Sequence, residues 1–229
     1  YNSTHWLKVE GFQQRQWVQD LDGNKVGVRG VLHANKSLID GVLNELHAMC
    51  SAPEFFRNLP SGINCESGFI CIGQRQKPKL MPHSPDLRQR FCIPAEWQPG
   101  ACVTPSPLTE QFFSGIWNDR NASAAGRRVL EEILGVALAG LSTELKSPKA
   151  FVLHGSSGAN GKSQFIKLLQ GILPSNAHSA ISPSDMGKEQ FLVELVGKTA
   201  NLANELSSVK VISSDKMKAV ISGDIVSAK

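Results

Sequence analysis

Gly155-Ser156-Ser157-Gly158-Ala159-Asn160-Gly161-Lys162-Ser163 fits the phosphate-binding loop pattern G-x-x-x-x-G-K-[ST] at every fixed position. Its surroundings have the composition such a loop needs. Upstream, Ala150-Phe151-Val152-Leu153 is an apolar run of the length of a buried strand. Downstream, Phe165, Ile166, Leu168, Leu169 and Ile172 recur at helical spacing and stop before Pro174. Strand, glycine-rich turn and helix place successive backbone N–H groups around an anion, and the helix N-terminus adds partial positive charge. On that reading Gly155, Ser156, Ser157, Gly158, Ala159, Asn160, Gly161, Lys162 and Ser163 hold the phosphates of a nucleotide. Lys162 reaches the β- and γ-phosphates, and the Ser163 hydroxyl ligates Mg²⁺.

Further along, Ala200-Asn201-Leu202-Ala203-Asn204-Glu205 is a second apolar stretch that ends in an acid. A strand ending this way about forty residues after the lysine loop suits the acidic element of such nucleotidases. Glu205 then polarises the attacking water or helps hold hydrated Mg²⁺; the competing reading is a surface glutamate at a strand end. Asn204 stands where many such enzymes carry a second acid, which weakens the metal assignment.

The composition sets outer bounds. The 229 residues suffice for one large or two ordinary domains. A hydrophobic fraction of 41% with 19% charged residues describes a water-soluble globular chain. The net charge of +4 permits nucleic-acid binding without demanding it. Cys50, Cys65, Cys71, Cys92 and Cys102 show no zinc-knuckle spacing and read as reduced thiols of a cytoplasmic protein. The longest apolar run, Ile133 to Leu141, is about half a membrane span, so no membrane partner is expected.

Before the loop, the turn signal Asp20-Leu21-Asp22-Gly23-Asn24, with Val18 on one side and Val26, Val28 and Val31 on the other, predicts a small hairpin. Asn35 or Ser37 caps a helix through Leu38, Val42, Leu43, Leu46 and Met49. Short β-prone segments follow between Ile63 and Ile72, and His83 in a proline-pinned turn reads as bonded to nearby backbone. Thr109 is a cap for a helix bearing Phe112, Phe113, Ile116 and Trp117, and a longer helix runs from about Ala124 to Leu145 with Glu131 and Glu132 outward. Glu189 to Val196 predicts a short helix, and a last helix starts at Ser214 and ends at Gly223. Its Lys216 and Lys218, with Lys229 beyond, are candidate nucleic-acid contacts, the competing reading being lysines on a solvated face.

Three stretches together carry a resemblance. They are Ser67–Ile72 with Leu80–Asp86, then Phe151–Leu169 around Asn160-Gly161-Lys162-Ser163, then Glu189–Lys198 through Glu205, followed by Lys218–Asp224. The chain resembles the phage- and plasmid-encoded primase-helicases, whose motor belongs to helicase superfamily 3 and which are related to poxvirus replicative NTPases. The resemblance implies an α/β fold: a mixed α+β pre-motor domain over 35–122, a helical connection over 123–148, and over 149–229 the first part of an AAA+-like phosphate-loop core with a parallel sheet. Residues 1–34 stand apart as an uncertain segment. It also implies an ATP-hydrolysing ring, usually hexameric, that translocates on single-stranded or forked DNA beside other replication proteins in a bacterial host cytoplasm. Lys162 and Glu205 would be catalytic, with Ser163 and Glu205 at the metal. A sensor strand and an arginine finger are expected past Lys229 and any primase domain before Tyr1, so the chain reads as an incomplete motor with little activity of its own. Two other readings stay open: a phosphate-loop kinase or transferase, and a non-catalytic docking module.

Overall fold

The structure, a computed structural model, describes residues 1–28, 30–73, 77–101, 106–116, 120–140, 149–155, 158, 160–204 and 214–224. It is a mixed α/β chain that divides into two compact units, Trp6–Leu59 on the one hand and Tyr1–His5 with Pro60–Lys229 on the other.

In the smaller unit, α1 (Gly11–Gln19) is set at its start by the Glu10 N–H, which donates to Gln13 Oε1 at 3.2 Å. A two-residue hairpin follows, β1 (Lys25–Val26) against β2 (Gly30–Val31). This corrects the hairpin expected with Val18 in its first strand. Val18 is instead a buried residue of α1, and the tight turn is made at Gly27, whose φ of +66° suits glycine. The Asp22-Gly23-Asn24 turn lies at the hairpin's base, where Gly23 N–H bonds Leu32 O and Leu32 N–H bonds Asn24 O, both at 2.9 Å. α2 (Lys36–Met49) starts as expected, with the Asn35 side chain accepting from Leu38 N–H. Arg15 pairs with Asp40 at 2.6 Å, joining α1 to α2, and exposed His47 bonds Gln14 at 2.8 Å.

The larger unit opens on an antiparallel sheet of β3 (Gly62–Cys65), β4 (Gly68–Cys71) and β5 (Lys79–Met81) in that order. Phe69 is fully buried on it. Asn64, buried in β3, donates to Phe91 O at 2.8 Å and Thr4 O at 3.1 Å. Its amide hydrogens are thereby committed, so Oδ1 accepts from His83 Nδ1 at 3.1 Å. The other ring nitrogen of His83 faces Glu66 O at 3.4 Å. Burial, with His83 and the chain's amino terminus adding, lowers the His5 pKa below the ordinary histidine value.

α3 (Pro107–Ile116) starts two residues before Thr109, because proline fits the first turn of a helix. α4 (Arg120–Ala139) ends at Gly140, whose φ is +66°; Trp117, Leu141 and Leu145 lie outside the described residues. Arg127 of α4 grips Glu110 of α3 with two bonds of 2.6 and 2.7 Å and reaches Glu131 at 2.8 Å. Its guanidinium also lies 5.1 Å from the Phe113 ring centre. Beyond the loop come α5 (Lys162–Ile172), β6 (His178–Ser179), α6 (Glu189–Leu192) with a 3₁₀ turn over Val193–Leu195, β7 (Ala200–Asn201) and α7 (Ser214–Ser222). Gly223, with φ of +76°, ends α7 as expected.

β6 and β7 pair in parallel, His178 with Ala200 and Ser179 with Asn201. The expected buried strand over Ala150–Leu153 is corrected. Among the described residues it pairs with no strand, Leu153 alone meets the core, and Phe151 and Val152 remain 49% and 65% exposed. A continuous apolar run is a buried strand only where neighbours cover both faces.

The Arg127 hydrogen bonds, ahead of its charge, pull the Glu110 pKa below the ordinary glutamate value. A depressed carboxylate stabilises the fold above its unfolded pKa, and that share is lost as pH falls through the folded pKa. Glu110→Gln should therefore lower the urea midpoint at neutral pH, and the gap from wild type should close in acid, below the ordinary glutamate range. Gly68 has a φ of +141°, and a side-chain carbon there would collide with Met81 O. Gly68→Ala should cost about 2 kcal/mol or more in denaturant unfolding.

Candidate functional site

The candidate site is built where the loop enters α5. Phe165 and Leu169, one turn apart, bury the inner face of this helix at 2% and 3% exposure. They join Leu173, Ala177, Leu202, Phe113 and Leu130 in one core. The helix start is therefore held from below while Ser163 and Gln164 stay exposed. Gly161 precedes the helix with φ of +83°, and a Cβ there would lie 3.1 Å from Ile116 Cγ1 at the end of α3. Glycine is needed on both counts, for the turn and for the close approach of Ile116. Gly161 offers no side chain to cap α5, and a helix start of this kind suits water or an anion.

Lys162 Nζ donates to Asn160 Oδ1. Both side chains fold over Gly155, where an added Cβ would collide with the Asn160 amide and lie 3.0 Å from Lys162 Nζ. Lys162 has no carboxylate partner among the described residues, so its charge is held by a neutral amide and stays available to an anion. Of the predicted phosphate-holding residues, Gly155, Gly158, Asn160, Gly161, Lys162 and Ser163 are described; Ser156, Ser157 and Ala159 lie outside the described residues.

Glu205 and Lys229 also lie outside them. The stretch that leads to Glu205 is described as far as Asn204, which is exposed. It is fixed by Asn201, whose Oδ1 accepts from Ser179 Oγ at 2.9 Å and Ile181 N–H at 2.8 Å while its Nδ2 donates to Ile181 O at 2.8 Å. Sequence reasoning passed over this role, since asparagine is depleted in strands and nothing local marks it. Lys216 is 3.5 Å from Glu189 Oε1, whereas Lys218 is exposed on α7.

The described cysteines, Cys50, Cys65, Cys71 and Cys92, are free thiols, and burial, then Cys65 and Glu66, raises the Cys92 pKa. Cys102 lies outside the described residues. Among the described residues no three His, Cys, Asp or Glu side chains gather, and no helix is long and apolar enough to cross a membrane.

Residues 153–229 match a family of unknown function, DUF5906. The match begins just before the loop and takes in α5, β6, α6, β7 and α7. No curated protein matches the chain.

On the phosphate-binding reading of the sequence, Gly155→Ala should weaken binding of a fluorescent ATP analogue by about tenfold or more, because the methyl group takes the space into which Asn160 and Lys162 fold. The melting temperature should change little, and titration of both proteins under the same salt checks this.

Proposed function

We propose that this chain binds and hydrolyses ATP as the motor segment of a DNA helicase of phage, prophage or plasmid type. In that reading residues 149 onward begin an AAA+-like phosphate-loop core that works as a ring of identical subunits on single-stranded DNA. The observation that carries it is the grouping of Lys162 and Asn160 over Gly155 at the uncapped start of α5. A lysine with no carboxylate partner among the described residues, a glycine floor and a helix N-terminus together suit a polyphosphate.

The roles of the residues follow from their chemistry. Lys162 offsets charge on the β- and γ-phosphates, and the α5 N–H groups receive the phosphate oxygens. The exposed Ser163 hydroxyl fits a hard, oxygen-seeking cation. Bound Mg²⁺ supplies electrostatic stabilisation of the transferring phosphoryl group. Glu205 orients the attacking water or steadies the hydrated metal. Lys218, exposed on α7, and Lys229 are placed in this reading toward the DNA backbone, so binding would be salt-sensitive and weakly sequence-dependent. Lys216 would have to exchange Glu189 for phosphate.

The test is ATP hydrolysis with and without single-stranded DNA, on this chain, on a version extended past Lys229, and on Lys162→Ala of the longer form. DNA-accelerated turnover by the longer wild type, lost in Lys162→Ala by about a hundredfold or more, is the expected result. Binding of ATP without hydrolysis under any DNA condition would replace the motor reading with a docking role. Phosphate transfer to an acceptor other than water would replace it with a transferase.

A further inference from the structure

The segment Tyr1–His5 meets β3 through one buried side chain. Asn64 Nδ2 donates to Thr4 O at 3.1 Å and to Phe91 O at 2.8 Å, and Asn64 Oδ1 accepts from His83 Nδ1 at 3.1 Å. Thr4 O and the His83 ring are therefore joined through the same amide, and His5, next in the chain, comes under the influence of His83. Asn2 holds the segment in shape. Its Oδ1 accepts from the His5 N–H at 2.9 Å, and its own N–H bonds His5 O at 3.1 Å. Thr4 Oγ1, 2.8 Å from His5 Nδ1, fixes the ring. We propose that this arrangement is a proton-released latch: Tyr1–His5 stays docked on β3 while His5 is neutral, and lets go when His5 takes a proton.

The reason is electrostatic. His5 is half-buried, so a charge on its ring would be stripped of part of its water. The titratable groups that act on it are His83, from the loop after β5, and the chain's amino terminus, from its own segment. Both oppose a positive charge. β3 presents the neutral Asn64 amide, and the turn after β3 presents Glu66 O, 3.4 Å from the other ring nitrogen of His83. Burial first, then His83, then the amino terminus thus hold the His5 pKa below the ordinary histidine value.

Once released, the ring lies in water and regains the ordinary value of about 6.5. The released form then binds the proton more readily than the docked one. The latch is complete above the ordinary value and is lost progressively as pH falls from there to the lowered one. One proton permits at most about tenfold more opening per pH unit, levelling off below the lowered value. The smaller unit, Trp6–Leu59, follows His5 directly and rejoins the larger one at Pro60. Docking of Tyr1–His5 anchors the first of these two chain crossings. Release leaves the smaller unit attached through Pro60 alone.

NMR of the whole chain, followed from about pH 8 to about pH 5, tests this. The probes are the His5 ring hydrogens and the two side-chain amide hydrogens of Asn64. Three samples are compared: the wild type, His5→Gln, and the wild type acetylated at the Tyr1 amino group. On acidification the Asn64 hydrogen bonded to Thr4 O should move toward its position in water, with the midpoint of the His5 ring and below the ordinary histidine value. The hydrogen bonded to Phe91 O should stay. His5→Gln should abolish the move, and acetylation should leave it in place. An Asn64 signal that stays constant while His5 titrates, a midpoint unlike that of His5, or an undiminished move in His5→Gln overturns the latch. Loss of the move on acetylation assigns the response to the amino terminus and overturns it equally. If His5→Gln does not fold, agreement or disagreement of the two wild-type midpoints decides.

Discussion

Burial of Phe165 and Leu169 on one side of α5 is the constraint from which the loop takes its position. Each such side chain is worth about 1.5–3 kcal/mol when taken out of water, and both are almost wholly enclosed. The helix cannot rotate without exposing them. Its first turn, with Lys162 and Ser163, therefore faces the same way whether or not an anion is present. The same core extends through Leu173 and Ala177 toward β6 and through Leu202 beside β7, so α5 and β7 share one foundation. Phe113 and Leu130 bring α3 and α4 to it, and the Glu110–Arg127 pair clamps those two helices together.

Two asparagines do the joining that apolar contacts leave undone. Asn64 ties β3 to Thr4, Phe91 and His83, and Asn201 ties β7 to Ser179 and Ile181. An amide with two donors and an acceptor satisfies several buried backbone groups at once, which an apolar residue of the same size could not do. Short strands such as β6 and β7 have few ladder bonds of their own. A side chain that adds three to the pair is a large share of its cohesion.

The fold was legible where periodic pattern and boundary residue agree. α5 follows its apolar spacing, α2 begins at Asn35, and α7 stops at Gly223 because these positions need a capping amide or a left-handed backbone. It was misread where a local cue has two uses. The Asp-Gly-Asn signal at 22–24 marks a turn, but that turn joins a helix to a hairpin rather than two strands of one hairpin. Val18 looks the same on a helix face as on a strand. The apolar run at 150–153 is similarly silent about whether neighbouring strands exist to cover it. The candidate site divides the same way. Its lysine, glycines and serine could be read from spacing alone, while the part played by α3 beside the loop could not.

By itself, the sequence determined that a helix follows Gly161 and where that helix stops. These depend on contacts within a few residues, between a backbone and its nearest side chains. Only the tertiary structure decided that Asn160 and Lys162 fold together over Gly155, that Ile116 closes against Gly161, and that β7 lies parallel to β6. Each of these joins groups whose meeting depends on how the intervening chain closes and on which apolar faces are buried first. No spacing within a short window carries that information.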